Sequence, residues 1–207
     1  MDILANPAHP KPEAPLQGFR HIRRFWDAPR ARFVAKILPG QYYVTKNTEA
    51  IATILGSCIS VCIRDPNVGI GGMNHFLLPG GNAASVHDEI FEQKPCARYG
   101  IHAMDMLIKD LIYHGAEHRN LEVKVTGGGK VISASSDIGE HNIAFVREYL
   151  AMKNLSIHAE DVGDCFPRKV LYFPDTGRLL IKKLRDTSPD HIRRREDKFL
   201  HTIECSE

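Results

Sequence analysis

Residues 53–79 read TILGSCISVCIRDPNVGIGGMNHFLLP, and the punctuation of this stretch sets the architecture. Residues 51–55 are apolar and run into the small pair Gly56-Ser57. Residues 59–63, ISVCI, are β-branched and short, as buried strands are. Asp65-Pro66-Asn67 is a turn signal. Residues 68–78 then read as a glycine-containing strand that stops at Pro79-Gly80-Gly81. A strand, a turn and a second strand make a hairpin.

Outward from the hairpin the period changes. Residues 82–95 are polar and irregular, a surface loop. From Tyr99 to His114 the apolar residues Ile101, Met104, Leu107, Ile108, Leu111 and Ile112 recur at three and four, which marks an amphipathic helix. Gly115 is placed to cap it. Residues 121–126, LEVKVT, alternate as a strand and enter Gly127-Gly128-Gly129. Ile138, Gly139 and Asn142 open a second helix carried by Ile143, Val146, Tyr149, Leu150 and Met152. Residues 156–161 form a further strand. Residues 170–173 and 179–181 flank the hairpin turn Pro174-Asp175-Thr176-Gly177. Strands interleaved with two helices predict an α/β domain: a mixed, partly antiparallel sheet sandwich covered by helices.

Toward the N-terminus, residues 1–18 hold four of the twelve prolines and read as a disordered extension. Residues 19–35 mix aromatics with arginines. They suit a short amphipathic helix, a docking strip around Trp26, or a segment folded back on its own domain. The expected organisation is a flexible extension over 1–30, a domain over 31–185 and a polar basic tail over 186–207.

The chain has 207 residues, 43% of them apolar, enough for a buried core. No run approaches the ~20 apolar residues of a membrane span. The N-terminus lacks the basic start and apolar stretch of a secretory signal. Five cysteines without repeated spacing suit a reducing cytoplasm better than a disulfide framework. A net charge of +2 points to neither nucleic acid nor membrane. The charge is uneven, however. Residues 1–36 carry seven Lys/Arg against three Asp/Glu, residues 182–198 carry seven against four, and the rest is mildly acidic. Such ends are either solvated faces or docking segments.

Metal sites fit poorly. Cys58 and Cys62 would lie about 13 Å apart along a strand. His114 and His118 have helical ligand spacing, but Gly115 ends the helix between them. The glycine run 127–129 with Lys130 lacks the earlier glycine of a phosphate loop, since position 124 is Lys124.

Cys58 differs from the other four cysteines by standing at a corner, after a small turn and before a strand. Gly56 lets a carbonyl approach, and backbone N–H groups there could face an oxyanion. The alternative is a small buried hydrophobe. A nucleophilic thiol needs a base. His75, 17 residues on, sits in the apolar MNHFLL of the hairpin's second strand, within reach of Cys58. A Cys–His pair supports acyl transfer through a thioester. A histidine bonded to backbone in the core is the alternative reading.

These blocks resemble the signature of the CheD family, the chemoreceptor glutamine deamidases of bacterial chemotaxis. The resemblance rests on Leu55-Gly56-Ser57-Cys58 and Gly71-Gly72-Met73-Asn74-His75. It continues through Arg98-Tyr99, Gly127 to Gly129, Ile138-Gly139 with Asn142, and Phe173-Pro174 with Thr176-Gly177, covering roughly residues 36–185. It implies an α/β sandwich and hydrolysis of receptor glutamine side chains to glutamate and ammonia. It implies Cys58 as nucleophile, His75 as general base and acid, and Thr53 as the threonine that orients the histidine. It places Gly56, Ser57, Gly127, Gly128 and Gly129 about the substrate. No metal or organic cofactor is required. Methyl-accepting chemoreceptors are the implied substrates, without nucleic acid or membrane insertion, in the cytoplasm. Family members bind a CheC-type phosphatase, a candidate partner here. The competing function is a non-catalytic adaptor for receptors or that phosphatase. A cysteine peptidase or transglutaminase would share the thioester and differ in the fate of the acyl group.

Overall fold

The computed structural model describes residues 10–78, 95–131 and 138–185, with Ile192, Arg194, Glu196, Lys198 and Phe199; residues 95–98 are described by backbone alone. The loop expected over 82–95 lies outside these residues except at Pro95, and so do residues 1–9 and the thiols of Cys96 and Cys205.

Among the described residues, ten strands form two five-stranded sheets. The first contains β1 (Arg23–Asp27), β2 (Arg32–Lys36), β4 (Glu49–Leu55), β9 (Arg168–Phe173) and β10 (Arg178–Lys183), in the order β1-β2-β4-β9-β10. The second contains β3 (Tyr42–Thr45), β5 (Ile59–Asp65), β6 (Ile70–Asn74), β7 (Glu122–Gly127) and β8 (Ile157–Val162), in the order β3-β6-β5-β7-β8. Each sheet has one parallel pair, β2 with β4 and β7 with β8, and is otherwise antiparallel. Among the described residues, the continuous α-helices are α1 (Pro95–Tyr113) and α2 (Ile138–Met152), and positions 192, 194, 196, 198 and 199 are also helical.

The layers follow from Gly71 and Gly72 on β6, which point to opposite faces. A side chain at Gly71 would meet Pro174 in the β9–β10 turn of the first sheet, at 2.8 Å. One at Gly72 would meet Leu107 of α1, also at 2.8 Å. The second sheet is therefore the middle layer, between the first sheet and the helices. β5 is buried along nearly its whole length, as a strand covered on both faces must be. One apolar core joins Ile51, Leu55 and Tyr172 of the first sheet to Ile59, Val61 and Met73 of the second and Met104, Leu107 and Val146 of the helices. The mixed α/β sandwich expected from the sequence is the fold observed.

The expected caps and turns are in place. Gly115 takes a positive φ of 102°, and the amides of Gly115 and Ala116 close onto Ile112 and Leu111 at the end of α1. Phe173 and Arg178 pair across the Pro174 to Gly177 turn.

Residues 19–35 fold back as strands rather than as a helix. β1 pairs with β2 in register Trp26 to Phe33, whose rings meet edge-on at 5.2 Å. Phe19 and Ile22 are in the core. The boundary expected between residues 30 and 31 falls inside this hairpin. No helix among the described residues is long and apolar enough to cross a membrane.

Candidate active site

Cys58 occupies the short connection between β4, in the first sheet, and β5, in the second. The chain crosses between layers here, so residues 56–58 lie outside both ladders. Their carbonyls are held from behind. The Gly128 amide donates to the Cys58 carbonyl at 2.7 Å, and the Gly129 amide to the Gly56 carbonyl at 2.9 Å. The Asn142 side chain, fully buried at the start of α2, donates to the Ser57 carbonyl at 2.8 Å and accepts the Leu78 amide at 2.8 Å. Close approach requires the glycines: Gly127 has φ +119°, and a Cβ there would lie 2.3 Å from the Cys58 carbonyl.

The hairpin register brings His75 to the thiol. Cys62 pairs with Met73, and the ladder continues to an Ile59–Phe76 bridge. His75 is then one diagonal step from Cys58 on the same face. β6 ends at Asn74, and the His75 backbone bonds instead to Gln41 and Gly40. Across the layer, Thr53 of β4 holds the imidazole, with Oγ1 2.7 Å from His75 Nδ1. Thr53 has one hydroxyl proton, which it donates to the Ile37 carbonyl at 3.0 Å. Its oxygen must therefore accept from Nδ1–H, which puts the ring's lone pair on Nε2.

A carboxylate reaches the same loop from the other end of the chain. Glu196 is buried, and its carboxylate lies over the loop. Oε1 accepts the amides of Gly56 at 2.9 Å and Cys58 at 3.1 Å. Oε2 accepts the Ser57 amide at 3.0 Å and the Ser57 hydroxyl at 2.7 Å. The Cys58 sulfur, a His75 ring nitrogen and a Glu196 oxygen lie within 4.8 Å of one another. Those are the donor atoms of a cation site. Yet four donors already occupy the four lone-pair positions of the carboxylate. The chemistry is that of an anion nest, with three successive amides converging on one acidic group.

Thus Cys58, His75 and Thr53 meet, with Gly56 and Ser57 at the carboxylate. Gly127, Gly128 and Gly129 lie behind the loop and contact its backbone. A Cβ at Gly56 would come 2.8 Å from Glu196 Oε2, so the small residue is what admits the acid. Cys62 faces the first sheet, where burial pushes its thiol well up. Two residues escaped the sequence reading. Glu196 sits in a polar run that resembles solvated tail. Tyr99 reads in the sequence only as part of a helix. Burial, and then the neighbouring Cys58, push its phenol up.

Comparison with known proteins adds the family. The family model described as CheD chemotactic sensory transduction matches residues 77–183. The chain is 46% identical over 189 residues to the probable chemoreceptor glutamine deamidase CheD of Halorhodospira halophila, covering 91% of this chain and 88% of that protein. The protein of the same name from Hahella chejuensis is 44% identical over 204 residues, 96% of this chain and 94% of its own. The one from Methylobacillus flagellatus is 48% identical over 174 residues, 83% and 84%.

Proposed function

The chain belongs to the CheD family, and from that premise we propose that it is a chemoreceptor glutamine deamidase, hydrolysing selected receptor glutamine side chains to glutamate and ammonia. The observation that carries this reading is the nest of three backbone amides beside Cys58, holding the side chain of a glutamate, the product residue.

The geometry supports the following steps. Nε2 of His75 takes the Cys58 proton, and the thiolate attacks the glutamine carbonyl carbon. Charge gathers on the amide oxygen, toward which the amides of Gly56, Ser57 and Cys58 point. The imidazolium returns the proton to the nitrogen, the C–N bond breaks and ammonia leaves. Water, deprotonated by the same imidazole, then cleaves the thioester. Thr53 keeps the tautomer that makes this possible. A carboxamide is a poor electrophile, so each of these parts has a task, and none calls for a metal.

The proposed substrates are methyl-accepting chemoreceptors, after the names of the relatives. We also carry forward, as proposals from the family resemblance, a cytoplasmic location and a CheC-type phosphatase as second partner.

Intact-mass analysis of a receptor cytoplasmic fragment tests the reaction. The unmodified chain is expected to give the mass gain of amide-to-acid conversion, and Cys58→Ala none. Cys62→Ala should retain the activity and lose about 1 kcal/mol of stability, as a small core truncation does. Full ammonia release by Cys58→Ala would remove the covalent route.

A further inference from the structure

The residue in the amide nest belongs to the protein itself. Ile192, Glu196 and Phe199 are helical and spaced at four and three, so they share one helix face. That face is turned inward. Ile192 and Glu196 are buried, while Arg194 and Lys198 are exposed. Phe199 packs edge-on to Tyr99 with ring centroids 6.2 Å apart. It also fills the space over Gly40, where a Cβ would lie 2.6 Å from its ring. The segment thus has two anchors: a carboxylate on the Gly56, Ser57 and Cys58 amides, and an aromatic ring on Gly40 and Tyr99.

We propose that this C-terminal segment is an intramolecular product mimic, with Glu196 in the position of the glutamate that the reaction leaves behind. This rests on the deamidase reading above. It also assigns the groove: a substrate helix would enter along the same line, its glutamine over Cys58 and a large apolar side chain three residues later against Gly40 and Tyr99. The chain holds its product in the site until a receptor helix displaces it.

The mimic turns into a substrate on a single change. In Glu196→Gln the side-chain amide stands where the carboxylate stood. The Cys58 thiolate would bond to its carbonyl carbon and the amide nitrogen would leave as ammonia with the proton from His75. Water would then release the thiolate and restore an acid at position 196. No reagent beyond water is needed.

The experiment uses the full chain in three arms. First, carbamidomethylation of Cys58 by iodoacetamide, located by peptide mass, is followed in the unmodified chain, Glu196→Ala and Phe199→Ala. An occluded thiol reacts only through its open fraction, so both variants should react about tenfold faster. Equal rates in all three overturn the occlusion, whatever the activity. Second, receptor-fragment deamidation by Glu196→Ala should show a lower KM at similar kcat; an unchanged KM overturns competition by the segment. Third, peptide mapping of Glu196→Gln should show the introduced glutamine becoming glutamate with time, and not when Cys58→Ala is added. A glutamine that persists there, in a chain that converts receptor glutamines, overturns the product-mimic role. If neither position 196 nor the receptor is converted while alkylation still accelerates, the deamidase reading falls and the mimic with it. Only an occluded thiol then stands.

Discussion

Thr53, His75 and Cys58 show how single hydroxyl and ring protons bear on the proposed mechanism. The Thr53 proton is committed to the Ile37 carbonyl, which fixes the imidazole tautomer without any carboxylate in the triad. A neutral orienting group leaves the imidazolium less stabilised than an aspartate would, so the proton passes readily to departing ammonia. Tyr99 offers a sharper test, because its hydroxyl finds no hydrogen-bond partner among the described residues. A buried, unpartnered hydroxyl costs about 1–3 kcal/mol. Burial, and then Cys58, push the phenol up, so it stays a donor. Tyr99→Phe is therefore expected to hold or raise the melting temperature while lowering kcat/KM about tenfold, equivalent to ~1.4 kcal/mol. Thermal melts and receptor-fragment kinetics decide it. A lower melting temperature with unchanged kinetics would give the hydroxyl a structural role instead.

The β5–β6 hairpin depends on its first turn residue. Asp65 Oδ1 accepts the Asn67 amide at 2.9 Å, and Oδ2 accepts the Glu117 amide at 2.8 Å and Asn120 Nδ2 at 3.4 Å. One carboxylate thus pins the turn to the segment that follows α1. Burial raises its pKa, but these hydrogen bonds outweigh that and hold it below the usual carboxylate range. A depressed folded value means the contribution is complete above the unfolded pKa of about 3.9 and is lost as pH falls through the folded one. Asp65→Asn keeps only one acceptor oxygen and turns an N–H donor toward another donor. It should melt several degrees lower at neutral pH, since ~1 kcal/mol is worth about 2–4 °C here. The gap to the unmodified chain should close in melts run below about pH 4. A constant gap would assign the loss to packing. This turn was legible beforehand because Asp-Pro-Asn carries its own local chemistry, and the same is true of Gly115 and the Pro174 to Gly177 hairpin. The strand start at Cys58 and the approach of His75 were also legible, since a hairpin register is a local property. The β1–β2 hairpin was not. Its alternation is blurred by arginines on both faces, and Pro29 lies in a 3₁₀ turn where it looks like a helix break.

Long-range assembly left the fewest marks in the sequence. Alternation does not say which of two sheets a strand joins, so the crossing of the chain between layers at residues 56–58 emerges only from the structure. Glu196 was illegible for a related reason. Three of its four donors are backbone amides some 140 positions away, and an amide has no side chain to read. The N-terminal arm teaches the same lesson with charge. Its arginines look alike in sequence, yet two of them have opposite surroundings. Arg30 pairs with Asp27 at 2.7 Å across an exposed turn, with 46% of its side chain accessible. Arg24 is 11% accessible and lies 3.2 Å from Glu49, which is itself buried and also accepts the hydroxyls of Tyr43 and Thr45. Burial, and then the Glu49 carboxylate, push the Tyr43 phenol up, so it remains a donor. Removing Arg24 leaves a buried carboxylate with two neutral donors and no cation, a loss of about 3–5 kcal/mol. Removing Arg30 costs ~1 kcal/mol at most. Thermal melts of Arg24→Ala and Arg30→Ala should therefore differ by roughly 5–15 °C, at about 2–4 °C per kcal/mol. The site residues lie beyond both, so receptor-fragment deamidation well below either melting point should be equal. Matching melts would mean that β1 is only laid against the first sheet. The expected split makes the arm part of the fold that carries the Cys58 loop.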